Sequence, residues 1–207
     1  MLHDITRERS ALIFIEFQQE WISDEGILQQ KVIKDREPFR AAVANGARII
    51  ESARANGWTV VHAGLDLSAD PDYLIFNGGK DVLGLRQAIP RAGTWQDRGA
   101  GRTAPFAPLK GEFVVTGRSG ASVLKNSTLD PFLRNRRIDT LFFMGFVTHV
   151  CVESSLREAH DMGYNGYLVE DACAAFERAQ HEHVRKHVVH HFGAETNAAE
   201  LTAFMEG

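Results

Sequence analysis

The chain has only two cysteines and six prolines in 207 residues, and no long apolar run. Two cysteines cannot form a disulfide framework, so a reducing cytoplasm is the expected compartment. A single bridge between Cys151 and Cys173 stays formally open, although their local contexts differ. The early apolar stretch, Ala11 to Ile15 with Phe17 beyond Glu16, is too short and too soon interrupted for a signal peptide or a membrane span. A basic excess is also missing. With a formal net charge of -4 there is no electrostatic ground for nucleic acid or an anionic membrane as partner. The fingerprint G-x-G-x-x-G does not follow the first apolar run, which argues against NAD or FAD. Gly99 and Gly101 in DRGAGR have neither a strand before them nor a helix after them. What is present, 44% apolar and 24% charged residues, is enough for a sizeable core.

Apolar runs and helical patterns alternate. ALIFIEF (11–17), WTVVHAG (58–64), FVVTG (113–117), TLFFMGF (140–146) and GYLVED (166–171) read as strands, with a short edge strand near 194–197. Residues 36–56 place Phe39, Val43, Ala47 and Ile50 on a three-four spacing, with Pro38 in the first turn and Gly57 past the end. Shorter helices are expected within 128–137 and over 151–163, and a long one over 177–192. This alternation predicts an α/β fold. It is three-layered and doubly wound, a mostly parallel sheet of five to six strands with helices on both faces. One domain spans 1–207, and the aperiodic stretch at about 64–110 is expected to be a lid or substrate-shaping excursion. Reactive groups in such folds sit at strand carboxyl ends, near the reversal of strand order. That selects Glu16, the loop after Gly117 and the turn GFVTHVC (145–151).

Cys151 falls where a strand hands over to a helix. A thiol there feels the positive end of the helix dipole, which favours the thiolate, and the same backbone N–H groups could stabilise an oxyanion. Taken alone, the segment is equally compatible with a small buried packing residue.

The combination of ALIFIEFQQEW, GRSGASVLKNSTLDPFL, IDTLFFMGFVTHVCVESS and GYNGYLVEDACAA, in that order and spacing, resembles the isochorismatase-like cysteine hydrolases. That superfamily holds nicotinamidases, N-carbamoylsarcosine amidases, ureidoacrylate amidases and maleamate amidases. The resemblance implies that Cys151 is the nucleophile, that Glu16 holds the place of the family's aspartate, and that Arg118 holds the place of its lysine. It further implies a cis peptide between Phe146 and Val147, with the amides of Val147 and Cys151 as oxyanion hole. Gln18, Trp21, Leu124 and His149 are the candidate substrate contacts. The implied activity is hydrolysis of a small amide or ureido compound through a thioester, without cofactor or metal, by a homodimer or homotetramer.

Two of the three catalytic positions depart from the family pattern. Glutamate keeps the acid–base chemistry of aspartate, whereas arginine supplies fixed charge on a larger planar fork. A structural ion pair, a catalytically drifted scaffold and a vinyl-ether hydrolase of isochorismate type are the competing readings. Lys125 aligns with a non-catalytic position. No Asp-x-His follows the second strand, so the metal site of nicotinamidases is not expected. His181, His183, His187, His190 and His191 read as a solvated or interface helix face rather than a zinc site. Thr148 is expected to bond backbone, and Cys173 to pack. Tyr73, Phe76 and Trp95 read as core or interface, and Arg98 and Arg102 as candidate carboxylate contacts.

Overall fold

The computed structural model describes Leu2 and residues 5–207. Its strands are β1 (Ser10–Ile15), β2 (Thr59–Ala63), β3 (Phe113–Val114), β4 (Thr140–Phe146), β5 (Asn165–Ala174) and β6 (Ala194–Thr196). They form one sheet in the order β3-β2-β1-β4-β5-β6, with every pair parallel. Every residue of β1 and β4 is buried, because helices cover both faces of these central strands. The order reverses between β1 and β4, which lie side by side with Ile15 opposite Gly145. Their carboxyl ends therefore open the crevice in which such folds place their chemistry.

The helices are α1 (Gln19–Ile22), α2 (Ile27–Val32), α3 (Glu37–Ala55), α4 (Leu85–Ala92), α5 (Asp97–Ala100), α6 (Leu129–Asn135), α7 (Glu153–Asp161), α8 (Arg178–His187), α9 (Val189–Phe192) and α10 (Ala198–Glu206). Among the described residues, no helix is long and apolar enough to cross a membrane. The α3 helix matches the expected span, but its buried stripe is rotated. Ala42, Gly46 and Ile49 face the core, while Val43 and Ala47 are half-buried. Gly46 permits this, because a Cβ there would run into the ring of Phe17.

Several elements differ from the sequence reading. The third strand is only two residues long. The helix expected over 151–163 starts as a π-helical turn, Thr148–Val152, and becomes α-helical only at Glu153. The long helix expected over 177–192 breaks at Val188 into α8 and α9. Val188 and Val189 are β-branched and both are buried, so packing outweighs a weak helical preference there. The α10 helix was not anticipated. Asn197 caps it by accepting from Glu200 N–H, and Asp171 accepts from Ala198 N–H.

The 64–110 excursion is ordered and folds over the strand ends. It carries a 3-10 turn at Leu74–Gly79 as well as α4 and α5. Leu67 N–H donates to Trp95 O (2.8 Å), and Tyr73 OH donates to Thr94 O (2.8 Å). Just beyond it, Glu112 accepts from Arg54 Nε (2.7 Å) and from the ring of His62 (2.7 Å), which ties the returning chain to α3 and β2.

Candidate active site

Glu16 directly follows β1, and its φ of 57° breaks the strand direction there. Left-handed backbone is uncommon in a non-glycine residue and is held only where neighbours over-determine it. Its N–H donates to Ala63 O (2.8 Å), its carbonyl accepts from Gln18 N–H (2.7 Å), and the next residue, Phe17, is fixed in a cluster of rings. Phe146 stacks on Phe39 at 5.2 Å and meets Phe17 at 5.0 Å, and Phe17 meets Phe106 at 4.5 Å. Above this floor Trp21 Nε1–H donates to Glu16 Oε2 (2.8 Å).

Arg118 enters from the loop after β3. Its Nη2 lies 2.6 Å from Glu16 Oε1, and both side chains are 1% exposed. The same guanidinium donates from Nε to Gly120 O (3.0 Å) and from Nη2 to Ala121 O (2.9 Å). Nη2 carries two hydrogens, so it serves Ala121 O and still meets the Glu16 carboxylate in a short ion pair. Glu16 Oε1 has Arg118 Nη2 as its ion-pair partner, while Arg118 Nη1 is left without a hydrogen-bond partner among the described residues. Buried polar atoms are rarely left this way, and an active site is one of the places where they are.

Cys151 completes the cluster from the π-helical turn after β4. Glu16, Arg118, Val147 and Cys151 all line one cavity of about 490 Å³. The Phe146–Val147 peptide is cis. Gly145 has a φ of +121°, and a Cβ there would collide with the carbonyl of Ile15. Only glycine lets β4 press its last turn this close to the end of β1. Ser155, one turn beyond Cys151, donates to Cys151 O (2.6 Å) and accepts from Val123 N–H (3.0 Å). It pins the cysteine turn to the segment that carries Arg118. Its position four residues after the cysteine was the available signal, and the sequence reading passed over it.

The expected thiolate is corrected by this environment. Burial and the Glu16 carboxylate push the Cys151 thiol well up from its usual range, against the downward pull of Arg118. Enclosure in low dielectric outweighs the helix terminus, so the resting group is a thiol. The Arg118 guanidinium stays charged: burial opposes this, but the Glu16 carboxylate holds it protonated.

Of the other candidates, Trp21 lines the cavity. Gln18 does not. Its Nε2 donates to Leu65 O and Ala100 O, and its Oε1 accepts from Leu65 N–H, so the amide is consumed in pinning the excursion. Leu124 is buried in the core away from the cavity wall. His149 packs edge-on against Phe176 at 4.8 Å, outside the lining, and its lowered pKa comes first from burial. Thr148 bonds the ring of His181 (2.9 Å) rather than backbone. Lys125 is exposed, and Arg98 is exposed and paired with Glu25. Arg102 sits in a separate hollow behind Arg118. Phe76 and Trp95, read from sequence as core or interface, are cavity wall, as is Phe176. Both cysteines are free, and among the described residues no group of three or more His, Cys, Asp or Glu side chains is placed to hold a metal ion.

Comparison with known proteins agrees with this architecture. The Isochorismatase domain model matches residues 10–200. Ureidoacrylate amidohydrolase RutB of Azorhizobium caulinodans is 30% identical over 194 residues, covering 88% of this chain and 82% of the relative. The protein of the same name from Variovorax paradoxus is 32% identical over 175 residues, covering 79% and 68%. Among solved structures, a cysteine hydrolase from Pseudomonas syringae pv. phaseolicola superposes with a TM-score of 0.81 at 23% identity, covering 98% of this chain and 94% of the other. N-carbamoylsarcosine amidase from Thermoplasma acidophilum superposes with a TM-score of 0.66 at 21% identity, covering 92% and 96%. With the domain match running from the first strand to the last helix, the chain belongs to the isochorismatase family of hydrolases.

Proposed function

We propose that the chain hydrolyses the C–N bond of a small amide or ureido compound, with Cys151 as nucleophile. The observation that carries this reading is the buried Glu16–Arg118 pair facing the same cavity as Cys151, with one guanidinium nitrogen, Arg118 Nη1, left without a hydrogen-bond partner among the described residues. The relatives named ureidoacrylate amidohydrolase support amide or ureido chemistry over other hydrolytic reactions.

Because the thiol rests protonated, attack requires a base, and the Glu16 carboxylate takes the proton as sulfur approaches the carbonyl carbon. Trp21 holds the other carboxylate oxygen and fixes the direction of transfer. The backbone N–H groups of Val147 and Cys151 receive the oxyanion; one such donor contributes on the order of 10²–10³ in rate. Arg118 balances the negative charge that moves between sulfur and carboxylate. Glu16 then protonates the departing nitrogen, the C–N bond breaks and a thioester remains. Water attacks the thioester, Glu16 accepts the water's proton and returns one to sulfur, and the acid product leaves.

Mass spectrometry of the protein mixed with an amide and quenched early tests the reading. Expected is an acyl adduct on Cys151 and no turnover by Cys151→Ala. Full turnover by that variant removes the nucleophile.

A further inference from the structure

The wall of the cavity over Cys151 is almost wholly apolar. Beyond Glu16, Arg118, Ser119 and the cysteine turn it is built mainly from Trp21, Leu65, Phe76, Ile89, Trp95 and Phe176. Inside it, the buried Thr94 hydroxyl is the neutral polar group without a partner among the described residues. Arg86 is exposed and stands at the mouth beside the exposed Leu83 and Leu85. Arg118 is committed to Glu16 and two carbonyls. A carboxylate carried among the apolar side chains, away from Arg118 at the catalytic end and Arg86 at the mouth, would lose its water without gaining a partner. Size points the same way. Benzene fills a cavity of roughly 150 Å³, and 490 Å³ is far more than an acetamide or a urea can occupy.

From this wall we infer that the substrate is a primary carboxamide whose acyl substituent is uncharged and apolar, of phenylalkyl or medium-chain alkyl size. It carries at most one neutral hydrogen-bonding atom, which meets Thr94. The inference rests on the hydrolase reading above and names the substrate class of the same site. It departs from the relatives named for ureidoacrylate, whose substrate bears a carboxylate. The reaction converts carboxamide and water into carboxylic acid and ammonia: the sulfur–acyl bond replaces the C–N bond, Glu16 delivers the thiol proton to nitrogen, and water then releases the acid. The product ionises at neutral pH, and an apolar wall holds an anion poorly, so hydrolysis itself favours release.

The test is ammonia release from acetamide, butanamide, hexanamide, 3-phenylpropanamide and 3-ureidoacrylate, with calorimetric binding of the neutral amides to Cys151→Ala. Burial of each methylene predicts about a fourfold rise in kcat/KM, roughly 200-fold from acetamide to hexanamide, with 3-ureidoacrylate below hexanamide. A flat series, or 3-ureidoacrylate at the top, overturns the inference. If nothing is turned over but Cys151→Ala binds hexanamide and 3-phenylpropanamide far more tightly than acetamide, the apolar ligand class stands and the hydrolase reading fails. Equal binding of all the neutral amides overturns the inference.

Discussion

Glu16 and Arg118 meet at 2.6 Å beyond the carboxyl ends of β1 and β3, two strands separated by β2, both sealed from solvent beside a cysteine. Removing one partner of such a pair leaves the other charge buried and alone. Arg118→Met is therefore expected to destabilise the fold by about 3–5 kcal/mol. Arg118→Lys keeps the charge but loses the forked bonds to Gly120 and Ala121, and should cost less. Urea denaturation of the two variants checks the order; equal midpoints for Met and wild type would show that the pair is not a buried charge couple.

The Cys151 thiol provides a pH test. Burial and Glu16 hold its pKa up while Arg118 pulls it down. Alkylation by iodoacetamide should therefore rise only above the ordinary thiol range of ~8.5. Glu16→Gln removes the negative neighbour and leaves Arg118, so labelling should move to lower pH while turnover falls by about 10²–10⁴. A labelling midpoint below ~8.5 in the wild type contradicts the raised value.

Trp21→Phe keeps an aromatic ring in the wall but deletes the N–H bonded to Glu16. A hydrogen bond to a charged group is worth about 1.5–3 kcal/mol, so kcat should fall roughly 10- to 100-fold with little change in thermal midpoint. An unaltered kcat would mean that Trp21 does not orient the carboxylate.

Acid stability reports on Glu112. Burial raises its pKa, but bonds from Arg54, Leu109 N–H and His62 outweigh this and bring it down to about 2. A depressed carboxylate contributes stability above its unfolded value of 4.5, and that stability is lost as pH falls from there toward 2. Wild type should lose on the order of 2–3 kcal/mol across that window from this residue. Glu112→Gln should be weaker at neutral pH and flatter below it. Parallel pH–stability curves for the two proteins would remove the assignment.

Gly145→Ala places a methyl against the carbonyl of Ile15 in a backbone region closed to other residues. A loss of at least about 2 kcal/mol and a drop in activity are expected, read by thermal melting alongside turnover.

Much of the layered fold was legible because parallel strands buried on both faces are written as continuous apolar runs; β4 falls on its expected span residue for residue. The positions of Glu16, Arg118 and Cys151 were legible too, since strand ends and a family pattern mark them. The roles of Gln18, Leu124 and His149 were not, because polarity and proximity in sequence do not reveal which way a side chain points. Gln18 sits two residues from Glu16 yet turns to the backbone of Leu65 and Ala100. Nor could periodicity describe 64–110, whose short elements are held by contacts with distant strands rather than by local preference.

By itself the sequence determined the alternation of strands and helices, since local pattern suffices for it; that β1 and β4 lie side by side was decided by the sheet. Tertiary structure alone decided that the cysteine rests as a thiol and that the wall around it is apolar. Both depend on which residues far apart in the chain exclude water from one small volume, and desolvation is a property of the assembled surroundings.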